Sequence, residues 1–122
     1  MSKPHEAYAT AARHGNDPRE LEASVLLKSA SRLQRIKDGW SATMADLNPA
    51  LTYNRTLWTI FVTSVTEGES QLPKEVRQNI ANLALFIFKR TVEVQATPAP
   101  ELLDSLININ RQIAAGLLQK AS

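Results

Sequence analysis

Between its Gly and Pro breaks this chain repeats apolar residues at intervals of three or four, and no whole segment carries the period-two pattern of a sheet. That interval is the period of one helix face, and it argues against the period-two pattern of a half-buried strand. Gly15, Gly39 and Gly68 separate the periodic segments, and Pro18, Pro49, Pro73 and Pro100 each fall near a segment start, where a missing amide hydrogen costs little. The expected fold is all-α: a small single-domain helical bundle over residues 1–122, with about four main helices and a short N-terminal helical turn within "EAYATAARH". A chain of 122 residues can close one core without metal or disulfide support.

The breaks place the helices. The first spans 18 to 38, opened by "NDPRE", in which Asp17 can cap, Pro18 takes the first helical position and Glu20 stands where a capping box needs it. The second covers about 44 to 66, with Asn48 and Pro49 marking either its true start or a break after a preceding turn. Its threonines and valines would suit a strand, but Leu47, Ala50, Leu51, Leu57, Trp58, Phe61, Val62 and Val65 keep helical spacing. The third runs from Pro73 to about Val94, and the fourth, after "TPAP", from about Glu101 to Gln119.

Two helices carry a carboxamide inside their apolar stripe. At about 100 degrees per residue, Leu103, Leu106, Ile107, Ile113, Ala114 and Leu117 share a face with Asn110 near its centre. In the second helix Asn54 holds the same place among Leu47, Ala50, Leu51, Trp58, Phe61 and Val65. An arginine follows each, Arg55 and Arg111, projecting toward the border of the apolar face. An unpaired buried carboxamide costs about 1–3 kcal/mol, so each needs a partner. Either the two asparagines bond each other or nearby backbone and fix helix register, or they face a groove and bond a bound peptide.

The third helix has more apolar surface than one core can cover. Val76, Ile80, Leu83, Ala84 and Ile87 form an inner face, while Leu85, Phe86, Phe88 and Val92 extend it around the cylinder. Such a helix is either central or offers a patch to a partner. Phe86 projects as the furthest from the inner face, so Leu85, Phe86 and Val92, with the Trp58 region, form the expected partner surface.

Charge supplies a competing surface. Lys28, Arg32 and Arg35 form a basic ridge opposite the stripe of Leu26, Leu33, Ile36 and Trp40, with no acidic residue between Ala23 and Lys37. It could meet phosphate or an acidic partner, although it lacks exposed aromatics for base stacking and any RNA-binding signature. Fourteen basic against twelve acidic residues leave a formal charge of only +2, so bulk charge does not argue for nucleic acid.

Catalytic signals are absent. The four glycines are isolated, so no phosphate-cradling loop is formed. His5 and His14 are the only histidines and lack cysteine or clustered carboxylates to complete a metal shell, so neither metal nor other cofactor is expected. No activated nucleophile is evident, and Glu20 and Glu22 read as surface carboxylates favouring a helix dipole. A non-enzyme is expected. The N-terminus lacks an apolar leader, and the longest apolar run, "LALFIF", is far short of the roughly 20 residues of a membrane span, so the expected location is the cytoplasm. The absence of cysteine fits a reducing compartment.

Four stretches together, "AYATAARHGNDPRELEASVLLKSASRL", "LTYNRTLWTIF", "LPKEVRQNIANLALFIFKRT" and "LININRQIAAGLL", resemble the FlaF family of flagellar biosynthesis regulators, in family order and with both Asn-Arg pairs. The resemblance implies a small all-helical cytoplasmic protein that binds flagellin, supports its delivery to the export apparatus, and acts with or against the regulator FlbT in controlling translation of flagellin message. It brings no catalytic residues. Partners implied are thus flagellin and FlbT, with direct binding of flagellin mRNA through Lys28, Arg32 and Arg35 as the alternative.

Overall fold

The computed structural model describes residues 18–67 and 72–121. The expected turn within "EAYATAARH", the Asp17 cap, His5, His14, Gly15 and Gly68 lie outside them. Four α-helices follow one another: α1 (Pro18–Asp38), α2 (Met44–Thr66), α3 (Lys74–Ala96) and, after a 3-10 turn at Pro100–Leu102, α4 (Leu103–Ala121). No strand occurs among the described residues. The chain is all-α, as its periodicity requires.

Local chemistry explains the differences at the boundaries. Pro49 neither starts nor breaks α2, which is continuous from Met44. Its missing amide deprives only a carbonyl of the helix's first turn, and Ala45, Asp46 and Asn48 are exposed, so water can satisfy that group. The threonines of α2 stay helical because their hydroxyls bond back one turn: Thr59 to the Arg55 carbonyl at 3.0 Å, Thr63 to that of Thr59 at 2.8 Å and Thr66 to that of Val62 at 2.6 Å. Pro73 is the cap of α3 and not its first residue. Pro100 tightens the entry to α4 into a 3-10 turn before the α-helix begins at Leu103.

The helices form a ring. The most extensive packing is of α1 on α4, followed by α2 on α3 and α1 on α2, whereas α3 meets α4 only briefly. Lys37 pairs with Asp104 at one end of α1, and Glu20 and Leu118 line one cleft at the other, so α1 and α4 are antiparallel. Pairing of Ser29 with Asn54 and of Ser64 with Glu22 makes α1 and α2 antiparallel as well. One core fills the interior, with Leu26, Leu33, Leu51, Leu57, Trp58, Phe61, Ile80, Ile87, Leu103, Leu106 and Ile107 fully buried. Phe61 meets Trp58 edge-on, with ring centroids 5.4 Å apart. No described helix is long and apolar enough to cross a membrane.

Candidate functional site

Asn110 and Asn54 sit in the core, both 0% exposed, and bond each other: Asn110 Nδ2 donates to Asn54 Oδ1 at 2.7 Å. Asn110 Nδ2 also donates to the Leu26 carbonyl at 3.3 Å, and its Oδ1 accepts the indole N–H of Trp58 at 2.8 Å. Ser29 Oγ donates to Asn54 Oδ1 at 2.8 Å. Three helices, α1, α2 and α4, are thereby pinned at one level by groups with no access to water. Asn54 Nδ2 is the one buried carboxamide atom of this pair without a hydrogen-bond partner among the described residues. Neither asparagine faces a groove. Arg55 and Arg111 are exposed and belong to no such network, because one step of about 100 degrees carries them off the apolar face.

Trp58 cannot contribute to a surface as expected: it is fully buried, and its one polar atom is consumed by Asn110. The expected patch on α3 also divides in two. Leu85 and Val92 are 68% and 61% exposed and share an outward face, while Phe86, at 36%, turns toward α4. The residue projecting furthest outward is therefore Leu85 and not Phe86. Arg90 lies over the Phe86 ring, its guanidinium carbon 5.3 Å from the centroid, while also pairing with Glu93 at 3.6 Å.

Where α3 and α4 diverge they leave a groove of about 770 Å³. Val76, Ile80, Leu83 and Phe86 of α3 face Ile109, Ile113 and Leu117 of α4 across it, with Leu72 at one end. The side chains of Asn79, Asn82, Ser105 and Gln112 and the bare backbone of Gly116 complete the lining. Of this lining the expected partner surface contains only Phe86: the spacing puts Val76, Ile80 and Leu83 on the inner face, Ile113 on the buried stripe and Ile109 on no surface, whereas Val76, Leu83, Ile109 and Ile113 are half-buried. The signal was available, since Ile109, Ile113 and Gly116 recur at helical spacing beside the buried stripe.

A second cleft, of about 700 Å³, lies over α1 and is lined by Lys28, Arg32 and Arg35 together with Leu27, Tyr53 of α2 and Leu118 of α4. The basic ridge therefore does have an aromatic neighbour: the Arg32 guanidinium stands 5.7 Å from the centre of the half-buried Tyr53 ring. Glu22, expected on the surface, is 0% exposed. Its carboxylate pairs with Arg19 Nε at 3.0 Å and accepts a bond from Ser64 Oγ at 3.1 Å. Its position one turn before Leu26 puts it on the buried stripe.

The described residues form two open clefts: an apolar trough between α3 and α4, and a cleft over α1 that Lys28, Arg32 and Arg35 line together with Glu20. No curated protein and no solved structure matches the chain. A family model described as flagellar protein FlaF matches residues 4–117.

Proposed function

The chain belongs to the flagellar protein FlaF family, which gives it a flagellar role, and from that premise we propose that it is a flagellin-binding export chaperone of the cytoplasm. In this reading it promotes flagellin synthesis and secretion together with FlbT, and it acts by binding, without catalysis or cofactor. The observation that carries the reading is the groove between α3 and α4, whose facing walls are apolar over several helical turns. A subunit that must be kept from aggregating presents amphipathic helices, and an apolar groove between two helices shields such a face from water.

Titration calorimetry of the purified chain against monomeric flagellin tests it. One-to-one binding with a negative heat-capacity change is expected, since burying apolar surface lowers the heat capacity. Phe86→Asp should abolish that binding and leave helicity intact, because Phe86 stands on the groove wall and is not buried in the core. A wild-type chain that gives no heat with flagellin refutes the reading.

Direct binding of flagellin mRNA is the second reading, and the cleft that Lys28, Arg32 and Arg35 line, with Arg32 beside Tyr53, favours it. Each lost phosphate contact lowers the salt slope of single-strand binding by about 0.7. An RNA affinity unchanged when all three are replaced by Gln would remove this reading.

A further inference from the structure

If the groove between α3 and α4 is the flagellin-binding surface, its lining also specifies what enters it. We propose that the occupant is an amphipathic helix whose apolar stripe is flanked by uncharged polar side chains, and that Gly116 is the point of closest backbone approach.

Three observations converge on this. No ionisable side chain lines the groove among the described residues; its polar groups are Asn79 and Asn82 on α3 and Ser105 and Gln112 on α4. A charged flank laid against such walls would lose hydration and find a counter-charge only at the Phe86 end, where Arg90 over the ring is already paired with Glu93, whereas a carboxamide or hydroxyl can exchange hydrogen bonds with Asn and Gln in either sense. Secondly, both walls are helices whose backbone groups are internally bonded. An extended guest would find no free ladder to join, while a helix brings its own hydrogen bonds with it. The α3 wall runs from Val76 to Phe86 and the α4 wall from Ser105 to Leu117, or about 15–18 Å at 1.5 Å per residue, enough for roughly three turns of guest helix.

Gly116 supplies the third. It lies inside α4, where glycine is less stable than alanine, and a Cβ built there meets nothing within 4 Å. Internal packing therefore gives no reason for a glycine at this place. Its position in the groove wall does give one, since a bare backbone lets a second backbone come close.

The test uses the full chain, monomeric flagellin, and two synthetic peptides locked as helices with the same apolar stripe. One peptide carries Asn, Gln and Ser beside the stripe, and the other Lys and Glu. The uncharged peptide should bind more tightly by about tenfold or more, a difference of about 1.4 kcal/mol or above. Gly116→Leu should not lower the melting temperature of the free chain, since leucine is a better helix former than glycine and a Cβ there meets nothing, and it should weaken flagellin and the uncharged peptide by at least about tenfold. Gly116→Ala should raise the melting temperature and still weaken binding measurably. Equal affinity of the two peptides, or undiminished binding by Gly116→Leu, overturns the proposal. A lower melting temperature for Gly116→Leu means that other residues of this chain already fill the groove, and a changed sedimentation coefficient means that a second copy does; either overturns it too. Binding of the uncharged peptide without binding of flagellin upholds the inference and refutes the flagellin reading.

Discussion

Replacing Asn110 with leucine should destabilise the chain by about 3 kcal/mol, and the reason lies in which groups are left without partners. Its carboxamide accepts from Trp58 Nε1 at 2.8 Å and donates to Asn54 Oδ1 at 2.7 Å and to the Leu26 carbonyl at 3.3 Å. After the substitution the Leu26 carbonyl keeps its place in the α1 ladder, and Asn54 Oδ1 keeps Ser29. The indole N–H of a fully buried Trp58 keeps nothing, which alone costs about 1–3 kcal/mol, and the two lost bonds add about 1 kcal/mol each. Apolar burial of the new side chain offsets part of this. Asn54→Leu should cost less, because one end of its carboxamide already lacks a partner. Urea unfolding followed by circular dichroism would give both single values and the double. Since the two asparagines bond directly, the double variant should lose at least about 1 kcal/mol less than the sum of the singles. Additivity within about 0.5 kcal/mol would refute the direct bond as the source of their effect.

Two further substitutions test the surface and the helix start. Leu85→Lys should leave both stability and flagellin affinity within experimental error of wild type by thermal melting and calorimetry, because Leu85 is 68% exposed and stands outside the groove. A large loss of affinity would return the outward face of α3 to the binding surface. Pro49→Ala should raise the melting temperature by a few degrees, since it restores an amide near the start of an otherwise unbroken α2. A lower melting temperature would show that proline's restriction of the unfolded chain outweighs the missing bond.

Much of this arrangement was legible in the sequence because it depends on a single angle. The 100-degree projection that put Asn54 and Asn110 amid apolar residues is satisfied by the buried faces of α2 and α4, and the demand for a partner is met by their mutual bond. Projection fails where burial depends on neighbours. Trp58 lies on the same stripe as Asn54, so its burial follows from the pattern, and Asn110 accepts the one hydrogen bond its indole can donate, which leaves Trp58 no part in the expected partner surface. Phe86 and Leu85 are adjacent in sequence, and only the course of α4 decides that Phe86 lines a groove and Leu85 faces outward. Glu22 was misplaced for another reason. A carboxylate is ordinarily a surface group, but one turn before Leu26 is a buried position, and Arg19 and Ser64 meet it there.

The ring of helices makes the two walls of the groove mechanically unequal. The wall from α4 is held along its length by α1, by the Lys37–Asp104 pair at one end and by the Asn110 network in the middle. The wall from α3 rests chiefly on α2 and touches α4 little. A guest helix wedged between them therefore displaces α3 at lower cost than α4, and the fixed wall is the one that carries Gly116. Opening free energies follow how much packing an element would lose, so amide protons of α3 in the free chain should exchange faster than those of α1 and the middle of α4. Addition of saturating flagellin should slow α3 most, because binding stabilises the arrangement it selects. Hydrogen exchange read by mass spectrometry measures this. Equal protection of α3 and α4 before binding, or a gain confined to α4 after it, would show that the groove is bounded by two equally fixed walls and that its width is set before any guest enters.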